Sequence, residues 1–198
     1  MAESTLRLAV IVGSVRGGRL GPTVADWFVG RAAAFGGFDV DVVDLAEIDL
    51  PLAAPAFGED PPPHVRAVTE PLGARLDAAD AFVVITPEYN HSFPAALKNL
   101  IDWYRGEWFA KPVGIVSYGG LSGGLRATEH LRAVFAELHA VTVRDTVSFH
   151  SAWSHWDDSG RGPKNPESCD PAAKTLLNQL TWWSRALHNA KAVAPYPA

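Results

Sequence analysis

The chain has 198 residues, of which 47% are hydrophobic and 20% charged, with a formal net charge of -5. These values fit one globular domain of ordinary size, and we predict a single domain over residues 1–198. The sequence has no basic stripe, no long apolar stretch and no signal-like N-terminus, which argues against nucleic-acid binding, a membrane span and secretion. The lone Cys169 excludes an intrachain disulfide, and no zinc-ligand spacing appears, so we expect a cytoplasmic protein without a metal site.

The first elements in chain order are a strand, a glycine-rich loop and a helix. Residues 8–12 form a continuous apolar run of strand length, and residues 13–21 form the first loop. Residues 22–35 open with a proline and carry apolar side chains at helical spacing, which predicts a helix. Residues 38–45 alternate apolar and acidic side chains, which predicts a strand with one polar face. The proline-rich residues 46–63 predict a long irregular loop.

The middle of the chain repeats the pattern of helix and strand. Residues 65–78 predict a helix that Pro71 should kink or divide, because proline removes a backbone hydrogen bond inside a helix. Residues 81–85 are the third apolar strand. Residues 86–93 form the second loop, and residues 94–104 predict a helix that opens with a proline.

The last third of the chain again alternates strands and helices. Residues 112–116 predict the fourth strand, and residues 117–124 form the third loop, which contains four glycines. Residues 125–138 predict an amphipathic helix, residues 141–147 a fifth strand, and residues 171–190 a final helix.

Five apolar strands separated by helices predict a parallel sheet that is covered by helices on both faces. Ligands of such sheets bind beyond the carboxyl ends of the strands, where the strand order reverses. The three unusual loops follow strands one, three and four, which are candidates for that position. Residues 148–168 contain Trp153 and Trp156 without periodicity, and we interpret them as a surface loop over neighbouring structure, with an oligomer contact as one option.

The first loop, GSVRGGRLG, joins a strand to the N-terminus of a helix. A helix N-terminus offers free backbone N–H groups and a partial positive charge, which suit a phosphate. Ser14, Arg16 and Arg19 add donors, although a flexible turn with solvated arginines would have the same sequence. Val15 occupies the position of the second glycine in a dinucleotide-binding loop, so a monophosphate fits better than a pyrophosphate.

The second and third loops could support a flat ligand. In the second loop, TPEYNHSF, Tyr89 and Asn90 could border a planar ring, or the segment could be an ordinary turn. His91 could line an acceptor pocket or cap the next helix. In the third loop, SYGGLSGG, the glycines could expose backbone to a flat ligand or form a strained turn that only glycine can make.

Taken together, these loops resemble those of the NADPH-dependent FMN reductase family, which includes flavin-dependent quinone and azo reductases. The resemblance covers roughly residues 6–147 and rests on GSVRGGRLG, TPEYNHSFPAALKNLIDW and SYGGLSGG in this order. It implies a flavodoxin-like α/β fold with a five-stranded parallel sheet in the order 2-1-3-4-5 and a single FMN-binding domain. It also implies non-covalent FMN at the point where the strand order reverses.

The resemblance further implies which residues contact FMN. The first loop would hold the phosphate, the second would border the isoalloxazine, and the third would meet the pyrimidine edge. Many members have a serine at the position of Arg19, which leaves the role of that side chain open. The residues implied are Ser14, Arg16, Arg19, Leu20, Gly21, Pro87, Glu88, Tyr89, Asn90, Ser117, Tyr118, Gly119 and Gly120.

The implied function is electron transfer from NADPH or NADH, through the flavin N5, to a small acceptor such as a flavin, quinone or azo compound. No catalytic side chain is required, because the cofactor supplies the chemistry. The family also implies a homodimer or homotetramer. Two alternatives stay open: a flavin-binding electron carrier or redox sensor, and a serine hydrolase, because Ser122 lies in a G-x-S-x-G segment followed by Asp145 and His150.

Overall fold

A computed structural model describes residues 5–56, 58–156 and 162–197 of the chain. Strands alternate with helices along it. The strands are β1 (Leu6–Val12), β2 (Phe38–Asp44), β3 (Ala81–Pro87), β4 (Pro112–Tyr118), β5 (Val141–Thr142) and β6 (Val147–Phe149). The helices are α1 (Gly21–Phe35), α2 (Pro63–Ala78), α3 (Ala95–Trp103), α4 (Leu125–Glu137) and α5 (Pro166–Val193).

The strands form one parallel sheet in the order β2-β1-β3-β4-β5, which confirms the predicted flavodoxin-like order 2-1-3-4-5. The fifth position is filled by two short strands, because β5 and β6 each pair with β4. Between them, Arg132 donates hydrogen bonds to the carbonyls of Val143 and Arg144 at 2.8 Å each. These bonds satisfy backbone carbonyls where the pairing with β4 is interrupted. The prediction of a single strand over residues 141–147 is therefore wrong for the residues between β5 and β6.

Helices cover both faces of the sheet because successive residues of a strand point to opposite sides. Val10 of β1 belongs to the core cluster beneath α1 and α5, and its neighbour Ile11 belongs to the cluster beneath α2, α3 and α4. Both side chains are fully buried. A strand buried on both faces is apolar throughout, which is why the sequence of β1 shows a run instead of an alternation.

Two helices differ from their predicted extent. The α2 helix runs without a break through Pro71, whose side of the helix is exposed to solvent, so the ring displaces no core side chain. The α5 helix begins at Pro166, five residues before the predicted start, and it contains Pro171 near its N-terminus. Pro166 suits the first turn of the helix because its fixed φ is already helical, whereas Pro171 lies inside the helix. Across the described residues, no helix is long and apolar enough to cross a membrane.

Candidate functional site

The three loops meet at one edge of the sheet because β1, β3 and β4 are adjacent and parallel. The first loop is joined to β3 by a hydrogen bond from the Gly13 N–H to the Ile85 carbonyl at 2.9 Å. The second loop is joined to β4 by a bond from the Glu88 N–H to the Tyr118 carbonyl at 3.0 Å. The carboxyl edge therefore brings together the segments that the sequence singled out.

Ser14 and Tyr118 link the first loop to the third. The Tyr118 hydroxyl donates a hydrogen bond to the Oγ of Ser14 at 3.1 Å, and the Ser14 side chain is fully buried. Burial raises the pKa of Tyr118 to about 12, so the phenol stays protonated and keeps donating at neutral pH. A Cβ at Gly21 would lie 2.3 Å from the Ser14 Oγ, so only glycine lets the helix start approach this pair.

The start of α1 has backbone donors without a side-chain cap. Its N-cap residue, Leu20, has no side-chain oxygen that could accept from the first-turn N–H groups, which leaves them available to a ligand. The Arg16 guanidinium lies 5.3 Å from the ring centre of Tyr89, which joins the first loop to the second. Among the described residues, no carboxylate pairs with Arg16. The charge of Arg16 and the helix end form a donor set that suits a phosphate monoester, and contact of the buried Ser14 hydroxyl with a phosphate stays a prediction.

Arg19 is engaged by protein groups. Its two terminal nitrogens bind the two carboxylate oxygens of Asp44 at 2.7 Å each, and Nη1 also donates to the Ser14 carbonyl at 2.8 Å. The side chains of the pair are only 15% and 14% exposed. The hydrogen bond to Asp44 raises the pKa of Arg19, so the guanidinium stays charged. Arg19 thus ties the first loop to the end of β2, and its contact with a cofactor stays a prediction.

The second loop contains a tight two-residue turn. Tyr89 and Ser92 exchange backbone hydrogen bonds at 2.8 and 3.1 Å, and the residues between them, Asn90 and His91, have φ values of 49° and 74°. Positive φ at both central positions is typical of hairpin turns, and Asn and His adopt it more often than most other side chains. Pro94 occupies the N-cap of α3, so His91 does not cap that helix.

Glu88 connects the second loop to the third. Its carboxylate accepts hydrogen bonds from the Ser122 hydroxyl at 2.6 Å and from the Arg126 backbone and side chain at 3.1 and 2.8 Å. Burial alone would raise the pKa of Glu88, but the bonds from Ser122 and Arg126 lower it overall. The carboxylate therefore stays ionised at the N-terminus of α4, where a negative charge is favourable. It holds the loop in position, and its expected contact with the flavin ring stays a prediction.

The glycines of the third loop have two separate explanations. Gly123 and Gly124 have φ values of 62° and 89°, and a Cβ at Gly124 would lie 2.6 Å from the Ser117 Cβ. These two glycines form the strained turn that only glycine can make. Gly119 and Gly120 have no such φ. Gly119 is hydrogen-bonded through its N–H to Phe149 and through its carbonyl to Ala152, and Gly120 has no side chain in the space beside Trp153.

The serine hydrolase alternative is not supported by the geometry. The Ser122 hydroxyl donates to Glu88, the His150 Nδ1 lies 2.9 Å from the Leu121 carbonyl oxygen, and Asp145 is bound by Gln179. Among the described residues, Ser122, His150 and Asp145 share no hydrogen bond. A serine nucleophile needs its base within hydrogen-bond reach, so this set does not form a triad.

Sequence reasoning missed two residues that hold the loops in place. Asp44 ends a strand whose other acidic residues face solvent, and Arg126 lies on a helix with an ordinary amphipathic repeat. The sequence around each residue does not indicate which side chain it binds. The pairing of Val12 with Asp44 in neighbouring strands brings the carboxylate to the first loop, and only the register of the sheet could have indicated it.

The chain is similar to known flavin and quinone reductases. The model of the NADPH-dependent FMN reductase family matches residues 6–154. A protein of Schizosaccharomyces pombe named NAD(P)H-dependent FMN reductase is 40% identical over 128 residues, which are 63% of each chain. A protein of Oryza sativa named probable NADPH:quinone oxidoreductase 2 is 32% identical over 90% of this chain and 87% of its own. The flavoenzyme FerB of Paracoccus denitrificans superimposes with a TM-score of 0.70 at 22% identity, covering 91% of this chain and 98% of FerB.

Proposed function

Because the chain belongs to the NADPH-dependent FMN reductase family, we propose that it is an oxidoreductase that holds FMN non-covalently and passes electrons from NAD(P)H to a small acceptor. The observation that carries this proposal is the joining of three loops at one sheet edge around a phosphate-type donor set. FMN, when bound, would supply the hydride and electron transfer. The residues of the chain bind and orient it.

Each loop has a separate task in this proposal. Ser14, Arg16 and the N–H groups of Leu20 and Gly21 hold the phosphate. The stiff turn that carries Tyr89 and Asn90, preceded by Pro87, borders the ring system. The backbone of residues 117–120 meets the polar edge of the ring. In this proposal the Gly120 N–H, for which no described residue is an acceptor, donates to that edge and stabilises negative charge there, which favours the reduced cofactor.

The acceptor in this proposal is a quinone or a free flavin. The support is that the relatives similar to this chain are named FMN reductases and quinone oxidoreductases. A cytoplasmic location and a homodimer or homotetramer stay predictions. The mass of the protein in dilute solution, measured by light scattering, tests the second of these.

An absorbance experiment tests the proposal. The purified protein should bind FMN, show the flavin band, and lose that band when NADPH or NADH is added without oxygen. A quinone added next should restore the band and support repeated turnover. Reduction without turnover would favour the electron carrier or redox sensor, and a protein that takes up no FMN would contradict the proposal.

A comparison of FMN with riboflavin tests the phosphate site separately. The two ligands differ only in the phosphate, so FMN should bind at least about tenfold tighter, which corresponds to roughly 1.4 kcal/mol. Arg16→Ala should weaken FMN binding more than riboflavin binding, because the substitution removes a charged donor to the phosphate. Arg144→Ala is the matched control, because Arg144 is an exposed arginine whose ion pair with Asp145 lies away from the loops.

A further inference from the structure

Trp153 is an exposed aromatic side chain beside the third loop. Its side chain is 72% exposed. Within the part of the chain that the structure describes, it is the one tryptophan whose ring has neither a hydrogen bond nor an aromatic or cationic partner. Trp27, for comparison, donates to Asp170 at 3.0 Å and packs on Phe149. Burial therefore does not account for a tryptophan at position 153.

The backbone that carries Trp153 is fixed to the third loop. The Gly119 N–H donates to the Phe149 carbonyl at 3.1 Å, and the N–H groups of Ser151 and Ala152 donate to the carbonyls of Gly120 and Gly119 at 2.8 and 2.9 Å. Ser151 also has a φ of 47°, a left-handed conformation that is uncommon for serine. Strained residues of this kind cluster where a side chain must be held in one place for a ligand.

The ring of Trp153 stands directly beside Gly120. A Cβ built at Gly120 would lie 3.5 Å from the Trp153 Cη2, so a side chain there would fill the space against the ring. Glycine leaves this space open. The next residue, Leu121, is 91% exposed and adds a second apolar side chain at the same edge.

We propose that Trp153 forms a wall of the acceptor site and recognises planar aromatic acceptors by stacking. The inference rests on the proposed function and adds the residue that selects the acceptor class. An indole ring on a hydrogen-bonded backbone stacks on a flat quinonoid ring without losing much side-chain freedom, and the missing side chain at Gly120 leaves room for that ring. Trp153 is thus a specificity-determining residue for flat acceptors.

The test compares Trp153→Ala and Trp153→Phe with the wild-type protein, all loaded with FMN. One readout is the Kd of an oxidised quinone, measured by calorimetry without NAD(P)H. The other is KM and kcat for the quinone and for ferricyanide, an acceptor without an aromatic ring. Trp182→Ala is the matched control, because Trp182 is 63% exposed on α5 and packs on Trp183.

Trp153→Ala should raise both the Kd and the KM for the quinone roughly three- to tenfold and leave the values for ferricyanide unchanged. Trp153→Phe should restore most of the loss, and Trp182→Ala should resemble the wild type. An unchanged quinone Kd in Trp153→Ala would overturn the proposal. So would a loss of FMN affinity, which would assign the ring to the cofactor, or a change in native mass, which would assign it to a subunit contact. Failure of the wild-type protein to take up FMN would instead contradict the proposed function.

Discussion

The pairing of Arg19 with Asp44 leads to a prediction whose sign separates two roles for the arginine. Asp44→Asn removes a negative charge and frees the guanidinium. If Arg19 is a phosphate ligand, the freed group binds FMN more tightly, since a carboxylate no longer competes for it. If Arg19 holds the first loop through the Ser14 carbonyl, the same substitution loosens the loop and weakens FMN binding. The geometry of the pair favours the second role.

The size of the effect follows from the contacts. Two charge-assisted hydrogen bonds of 2.7 Å join side chains that are only 15% and 14% exposed, so solvent screens them weakly. Breaking such a pair should lower the free energy of unfolding by about 2 kcal/mol. Displacing the Ser14 carbonyl should raise the Kd for FMN about tenfold, which is roughly 1.4 kcal/mol.

The assay is a fluorescence titration of FMN with the apoprotein, combined with urea unfolding. Asp41→Asn is the matched control, because Asp41 lies on the same strand and makes a similar two-point pair with Arg75, at 38% and 48% exposure. The control should leave the Kd for FMN unchanged. A Kd that stays the same or falls in folded Asp44→Asn would refute the reasoning.

Three further predictions follow from buried contacts. Gly124→Ala should lower the free energy of unfolding by more than about 2 kcal/mol in urea, because the new Cβ would collide with Ser117 in addition to the cost of the positive φ; a smaller loss would argue against this close approach. Tyr118→Phe should cost about 1 kcal/mol and weaken FMN binding, since the buried Ser14 hydroxyl loses its donor; unchanged values would contradict the assigned bond. Burial lowers the pKa of Lys111 to about 8 in the folded protein. Above that pH, the Lys111 amine therefore binds more protons in the unfolded protein than in the folded protein. The free energy of unfolding should therefore rise by about 2 kcal/mol between pH 8 and 10 relative to Lys111→Met, and parallel profiles would argue against the shift.

The sequence predicted those parts of the fold that depend on local pattern. Apolar runs marked β1, β3 and β4 because these strands are buried on both faces. The positions of these strands in the sequence also predicted which loop follows each strand. Because the strands are parallel neighbours, the three loops lie together at one edge of the sheet. The α2 helix is not divided at Pro71, so the predicted division was wrong. The effect of a proline inside a helix depends on which side of the helix it occupies, and tertiary packing determines that side.

The side-chain contacts of the site could not be predicted from single segments. The predicted contact of Glu88 with a flavin ring stays a prediction, and the sequence did not indicate that its carboxylate binds Ser122 and Arg126, which lie more than 30 residues along the chain. The same holds for Arg19 and Asp44, which are 25 residues apart. A charged side chain in a loop has the same sequence signature whether it meets a ligand or another loop, and only the three-dimensional arrangement separates the two.

The hydrogen bonds that join the three loops run between groups of the protein itself, so the chain loses the conformational freedom of these loops when it folds. The binding site for a ligand is then preorganised. The rate of ligand association should depend on diffusion and on the removal of water, and not on closure of a loop. The backbones of the empty and filled proteins should superimpose closely, and exchange of one isoalloxazine for another should proceed without partial unfolding.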